Sequence, residues 1–116
     1  MEIIITNNPQ VEAQYQSELK VELLDADLLG ILISVRDKIH SGHRLLTHPL
    51  SGSIKPNETP YKSVLLSEAT GKTDLQSVSI IEECIITAQK FPKKQILKKH
   101  LYDLQNVDLA LIQSAL

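Results

Sequence analysis

The sequence predicts an α/β fold: an open, mostly parallel four-stranded sheet in the order 2-1-3-4, with helices on both faces in a Rossmann-like three-layer sandwich. Three observations carry this expectation. Ile3-Ile4-Ile5 is a short unbroken apolar run, the mark of a strand buried on both faces. Segments of strand character alternate with segments whose apolar residues recur at helical spacing, so the elements read β-α-β-α-β-β followed by helices. One long stretch rich in Pro, Ser, Gly, Asn and Thr interrupts that order after the third strand.

Each element has its own signal. The first strand spans Glu2 to Thr6, and Asn8-Pro9 supplies an N-cap and a first helical residue for a short helix to about Gln16. Leu19 to Leu24 alternates apolar and polar residues, which describes a half-exposed strand at a sheet edge. Asp25 is a cap for a second helix with Leu28, Leu32, Val35 and Ile39 on one face, and Gly42 suits the left-handed position past its end. His43 to Thr47 reads as the third strand and Tyr61 to Ser67 as the fourth, in a direction that the intervening loop leaves open. Thr73-Asp74-Leu75-Gln76 has the form of a capping box, opening a helix with Val78, Ile81, Ile85 and Ala88 inside and Pro92 beyond its end. A further helix carries Ile96, Leu97, Leu101 and Leu104, and Asn106 is a cap for a last one, Val107 to Leu116. That last segment is apolar nearly all round, which predicts either insertion into the core or cover by a second copy in a homodimer.

Composition narrows the class. The chain has 116 residues, 42% apolar and 22% charged, which suits one domain over residues 1–116 with a single core. Aromatic residues make up only 3% and the formal charge is −2, so stacking platforms and a phosphate-neutralising basic excess are both lacking; nucleic acid is not the expected partner. The single cysteine, Cys84, permits no internal disulfide and no cysteine-based zinc site. The opening residues lack a basic leader and their apolar run is too short to span a bilayer, so a cytoplasmic setting without membrane association is expected.

The expected strand order places a topological switch point between strands one and three, where open α/β sheets bind ligands beyond the carboxyl ends of their strands. Thr6, Asn7 and Asn8 leave strand one there; Thr47, His48, Ser51 and Gly52 leave strand three. Ser51 and Ser53 offer hydroxyls, Gly52 lets backbone amides come close, and Lys55 and Lys62 supply positive charge, so the group reads as a cradle for a small anion. The start of the helix at Asn8-Pro9 adds free amides and a positive dipole end. The same loop is equally a surface turn whose hydroxyls cap their own backbone. His48 is the one group near the crevice that titrates near neutral pH, making it the candidate acid or base, against the plainer role of bonding loop backbone. His40, His43 and His48 do not assemble a metal site, since strand rise sets His43 and His48 ~16 Å apart. Cys84 lies near a buried helix face and reads as a small core residue. Neither a Walker loop nor a GxGxxG turn is present, and no cofactor is implied.

The opening IIITNNP (residues 4–9 with Ile3) together with LLTHPLSGSIKPNETPYKS (residues 45–63) resembles the GrdX family, small proteins encoded in the gene clusters for glycine, sarcosine or betaine reductase. The resemblance covers almost the whole chain. It implies a setting in bacterial amino-acid fermentation, where a selenoprotein complex reductively deaminates glycine and yields acetyl phosphate, and it carries over no catalytic residue. Glycine reductase components are the partners it implies. Three functions follow as expectations. The first is an accessory or regulatory protein, not an enzyme, that binds a small anionic metabolite. The second is a small enzyme using His48 on a phosphate or acyl substrate. The third is a structural subunit that docks through its C-terminal helix.

Overall fold

In the computed structural model, which describes residues 1–50 and 55–116, the chain forms an α/β fold with an open three-stranded mixed sheet and four helices. The strands are β1 (Ile3–Thr6), β2 (Lys20–Leu23) and β3 (Ser63–Leu66), in the spatial order β2-β1-β3. The helices are α1 (Pro9–Tyr15), α2 (Leu28–His40), α3 (Leu75–Lys90) and α4 (Lys98–Gln113).

The isoleucine run sits where its composition demands. All of Ile3, Ile4, Ile5 and Thr6 are buried, because β1 lies between two neighbours and under helices on both faces. Ile3 and Ile5 point with Val64 and Leu66 into a core closed by α2 and α3. Ile4 and Leu65 point the other way, against Val11 of α1 and Ile112 of α4. Each of these isoleucines contributes roughly 1.5–3 kcal/mol by leaving water, which favours the central position decisively over an edge. The alternating Lys20–Leu23 segment takes the edge, parallel to β1, with its two faces only partly covered.

The four-strand, mostly parallel expectation is corrected at the third strand. The Ser63–Leu66 segment, not His43–Thr47, pairs with β1, and it runs antiparallel, with Ile3 opposite Leu66 and Thr6 opposite Ser63. His43–Thr47 reaches the sheet only outside β3, through one antiparallel bridge between Leu45 and Leu66. Two causes are visible. Val64, Leu65 and Leu66 fill both faces of an internal position, whereas Leu46 is 41% exposed, and only a covered strand gains from a continuous apolar run. The ladder also stops early: Leu65 N–H donates to the Thr47 hydroxyl at 3.0 Å, where a regular strand would offer the Leu46 carbonyl. There is consequently no switch point between parallel strands.

Helix ends differ by a residue or two from expectation. Asp27 rather than Asp25 caps α2, accepting from Gly30 N–H at 2.8 Å, and Asp74 rather than Thr73 caps α3. Asn106 caps nothing; the two expected C-terminal helices are one, α4, buried through Asp108 and Ile112, four residues apart on one stripe. Val107, Leu111 and Leu116 of the same stretch remain 41%, 38% and 48% exposed. No helix among the described residues is long and apolar enough to cross a membrane.

Candidate functional site

The carboxyl end of β1 is where the chain concentrates its buried polar groups. Thr6 and Ser63, side by side in the register, both face the α1/α4 side, and their hydroxyls lie 2.6 Å apart. Ser63 donates to Asp108 Oδ2 of α4 at 2.7 Å, so its single proton is used and Thr6 must be the donor to Ser63. Thr6 Oγ1 in turn accepts from Asn8 N–H at 2.9 Å. Asn8, fully buried, caps α1 through Oδ1 (Gln10 N–H, 3.0 Å) and donates through Nδ2 to Asp108 Oδ2 at 3.0 Å and to the Gln105 carbonyl at 2.9 Å. Asp108, itself only 5% exposed, is thus held by two neutral donors, and among the described residues no cation lies within ion-pair distance of it.

Asn7 fixes the neighbouring loop. Its N–H donates to the Lys62 carbonyl (3.3 Å) and its Oδ1 accepts Lys62 N–H (2.8 Å), extending the β1–β3 pairing by one step. Its Nδ2 donates to the Ala26 and Pro60 carbonyls. Farther out, Asn57 adopts the left-handed conformation (φ 67°) and donates to the Ala88 and Phe91 carbonyls at the end of α3. These bonds tie the returning half of the long loop to the end of β1 and to the end of α3.

The clamp on its backbone sets Lys62 beside a cleft of ≈ 240 Å³ whose polar wall includes Thr47, His48, Ser63, Asp108 and Ser114. Burial pushes the Lys62 ammonium below its ordinary range, only partly opposed by the Asp108 carboxylate. A narrower, mainly apolar crevice adjoins it, sharing Lys62, Asp108 and Leu111 and adding Leu28, Leu50 and Lys55. Cys84 is buried, and the same desolvation pushes its thiol up, the opposite of what a reactive thiolate needs.

Of the residues expected in the site, Thr6, Asn7 and Asn8 are committed to the bonds above and hold the cleft together. Thr47 and His48 line the cleft. The outer segment runs antiparallel to β3, hence in the direction of β1, and so ends at the same edge. His48 Nδ1 accepts Leu50 N–H at 3.1 Å, which places the proton of the neutral ring on Nε2. Lys55 lies on the apolar crevice. Ser51, Gly52 and Ser53 fall outside the described residues. The amides at the start of α1 are taken by Asn8 itself, so that helix start offers no anion site. Sequence reasoning missed Ser63 and Asp108. Asp108 had a signal, an acid set within the apolar run VDLALI.

A model of the GrdX-like proteins matches residues 3–116, which takes in β1, the loop and α4 together. The chain belongs to the GrdX-like protein family. No curated protein and no solved structure matches it. In this GrdX-like chain the two stretches that carry the resemblance meet beside the cleft: LLTHPLSGSIKPNETPYKS lines it with Thr47, His48, Lys62 and Ser63, and IIITNNP bonds to its lining residues Ser63, Lys62 and Asp108 through Thr6, Asn7 and Asn8.

Proposed function

We propose that this GrdX-like chain is an accessory or regulatory protein of the glycine reductase system that binds a small anionic metabolite at Lys62. Lys62 carries the reading: its charge is partly desolvated at the rim of a polar cleft, and among the described residues no carboxylate lies within ion-pair distance to compensate it. A carboxylate or phosphate in the cleft supplies that compensation. The metabolic setting rests on the family alone.

A binding role is favoured over an enzymatic one by how the reactive groups are spent. The Ser63 hydroxyl donates to a carboxylate, the Thr6 hydroxyl to Ser63, and His48 Nδ1 is engaged by its own loop. No nucleophile faces a histidine base among these bonds. The direct test is calorimetry of the intact protein with phosphate, acetyl phosphate, glycine and betaine, repeated on Lys62→Met. Binding of at least one of them, lost in the variant, supports the reading; no heat from any sinks it. Turnover of acetyl phosphate that disappears in His48→Ala would favour the enzyme instead. The exposed Val107, Leu111 and Leu116 support a homodimer through α4 as a second role, which light scattering at high micromolar concentration checks.

A further inference from the structure

The cleft has a second pole, and it is negative. Asp108 lines it with Lys62, and its carboxylate is solvated within the protein by neutral donors only, Asn8 Nδ2 and Ser63 Oγ, both on Oδ2. Oδ1 has no hydrogen-bond partner among the described residues. The end of α4 adds no further pole: Ser114 and Ala115 line the cleft, but the carbonyls of Ala110, Leu111, Ile112 and Gln113 all accept hydrogen bonds from the residues that close the helix. A simple anion drawn to Lys62 would therefore sit in one small cleft with a buried carboxylate, which repels it. Lys62 does not cancel Asp108 by contact, since their charged atoms are not within ion-pair distance.

We infer that the ligand is a small zwitterion: its carboxylate or phosphate meets Lys62, and an ammonium-type group meets Asp108. This rests on the anion-binding reading and sharpens it. Each charge of such a molecule meets a protein charge of opposite sign, and the protein's two partly desolvated charges are both compensated, which a simple anion or a simple cation cannot do. The size of the cleft, ≈ 240 Å³, suits a metabolite well below drug size.

The experiment is a titration of the full-length protein, followed by calorimetry, with matched pairs that differ only by an amine: acetate against glycine, propionate against β-alanine, butyrate against 4-aminobutyrate. The series varies the charge separation, so it does not presuppose the distance between the poles. The expected result is that one zwitterion binds at least about tenfold more tightly than its amine-free partner, in keeping with the coupling of close charge pairs, and that Asp108→Asn erases most of that ratio. The wild-type comparison stands even if Asp108→Asn fails to fold. Amine-free acids or phosphate binding as tightly as every zwitterion would overturn the inference and leave the anion reading intact. No binding by either class, phosphate included, would remove both.

Discussion

Asn8 Nδ2 donates to Asp108 Oδ2 at 3.0 Å across a separation of 100 residues, joining the end of the first strand to the last helix. The same asparagine caps α1 and bonds the Gln105 carbonyl. One buried side chain thereby starts one helix and holds another against the sheet. Around it, Gln10 Nε2 donates to Gln105 Oε1 at 3.0 Å and Gln105 Nε2 donates to the Tyr61 hydroxyl at 2.8 Å, so α1, α4 and the loop before β3 share a single polar network. Such a network is all-or-none: satisfied it specifies the packing of α4, and with a member removed it leaves buried groups unpaired.

Two substitutions separate the two jobs of Asn8. Asn8→Ser keeps a capping oxygen and loses the strap to α4; Asn8→Ala loses both. Loss of the cap costs about 1 kcal/mol, and a carboxylate and a carbonyl stripped of their donor cost roughly 1–3 kcal/mol more. Urea unfolding should rank wild type above Asn8→Ser above Asn8→Ala. Equal stability of wild type and Asn8→Ser would mean that the bond to Asp108 contributes nothing.

The parts of this architecture that were legible in the sequence are those set by local burial. Ile3-Ile4-Ile5 declares a strand covered on both faces, and the alternation through Lys20–Leu23 declares an edge. The placement of β3 was not legible, because a loop as long as 48–60 returns the chain in either direction at little difference in closure entropy. Leu45 and Leu46 looked like a strand because two adjacent apolar residues carry no information on whether a second face is covered. At the site, Thr6 and Asn8 are legible as groups at the end of β1; the bonds they make within the protein are not, because the partners lie on β3 and α4. Asp108 shows in the sequence only as an acid within an apolar run; its partners lie 45 and 100 residues away, and no local pattern records them.

Gly42 tests the turn that leads into the outer segment. It sits at φ 105°, and a Cβ there would come within 3.1 Å of the Gly71 backbone nitrogen. Gly42→Ala should destabilise by more than ~1 kcal/mol, because the strained backbone and the backbone contact add. Gly71, at φ 79° with open space around it, carries only the conformational part, so Gly71→Ala should cost less. Thermal melts of the two variants compare them directly; a larger effect at Gly71 would contradict the contact.

Asp27 couples the start of α2 to the connector before α4. Its carboxyl accepts Gly30 N–H and pairs with Lys93, and it is held below its ordinary value of 3.8, first by Lys93 and then by that amide. A depressed carboxyl contributes stability above its unfolded-state value and loses it as pH falls through the folded one. Asp27→Ala should cost about 1 kcal/mol at neutral pH, as caps do, and the cost should vanish in acid below the folded value. Denaturation of both proteins at neutral and at acid pH checks this; a difference that persists unchanged in acid would show that the carboxylate charge is irrelevant.

Lys62 gives the sharpest pH test, because its two expected effects have opposite signs. Burial holds its folded-state value below the ordinary 10.5, so between the two values the unfolded chain binds more protons than the folded one. Stability should accordingly rise with pH across that window, whereas removing the charge in Lys62→Met should leave stability at neutral pH unchanged or higher. A bound anion works the other way: it favours the ammonium and pulls the folded-state value back up. Within the window, binding must then take up a proton, and affinity must fall as pH rises, starting below the range in which an ordinary surface lysine loses its charge. Calorimetry in buffers of different ionisation enthalpy reads that proton directly. Proton uptake that is absent from Lys62→Met assigns it to this side chain. An affinity independent of pH up to the ordinary lysine range would mean that the anion is held somewhere other than Lys62.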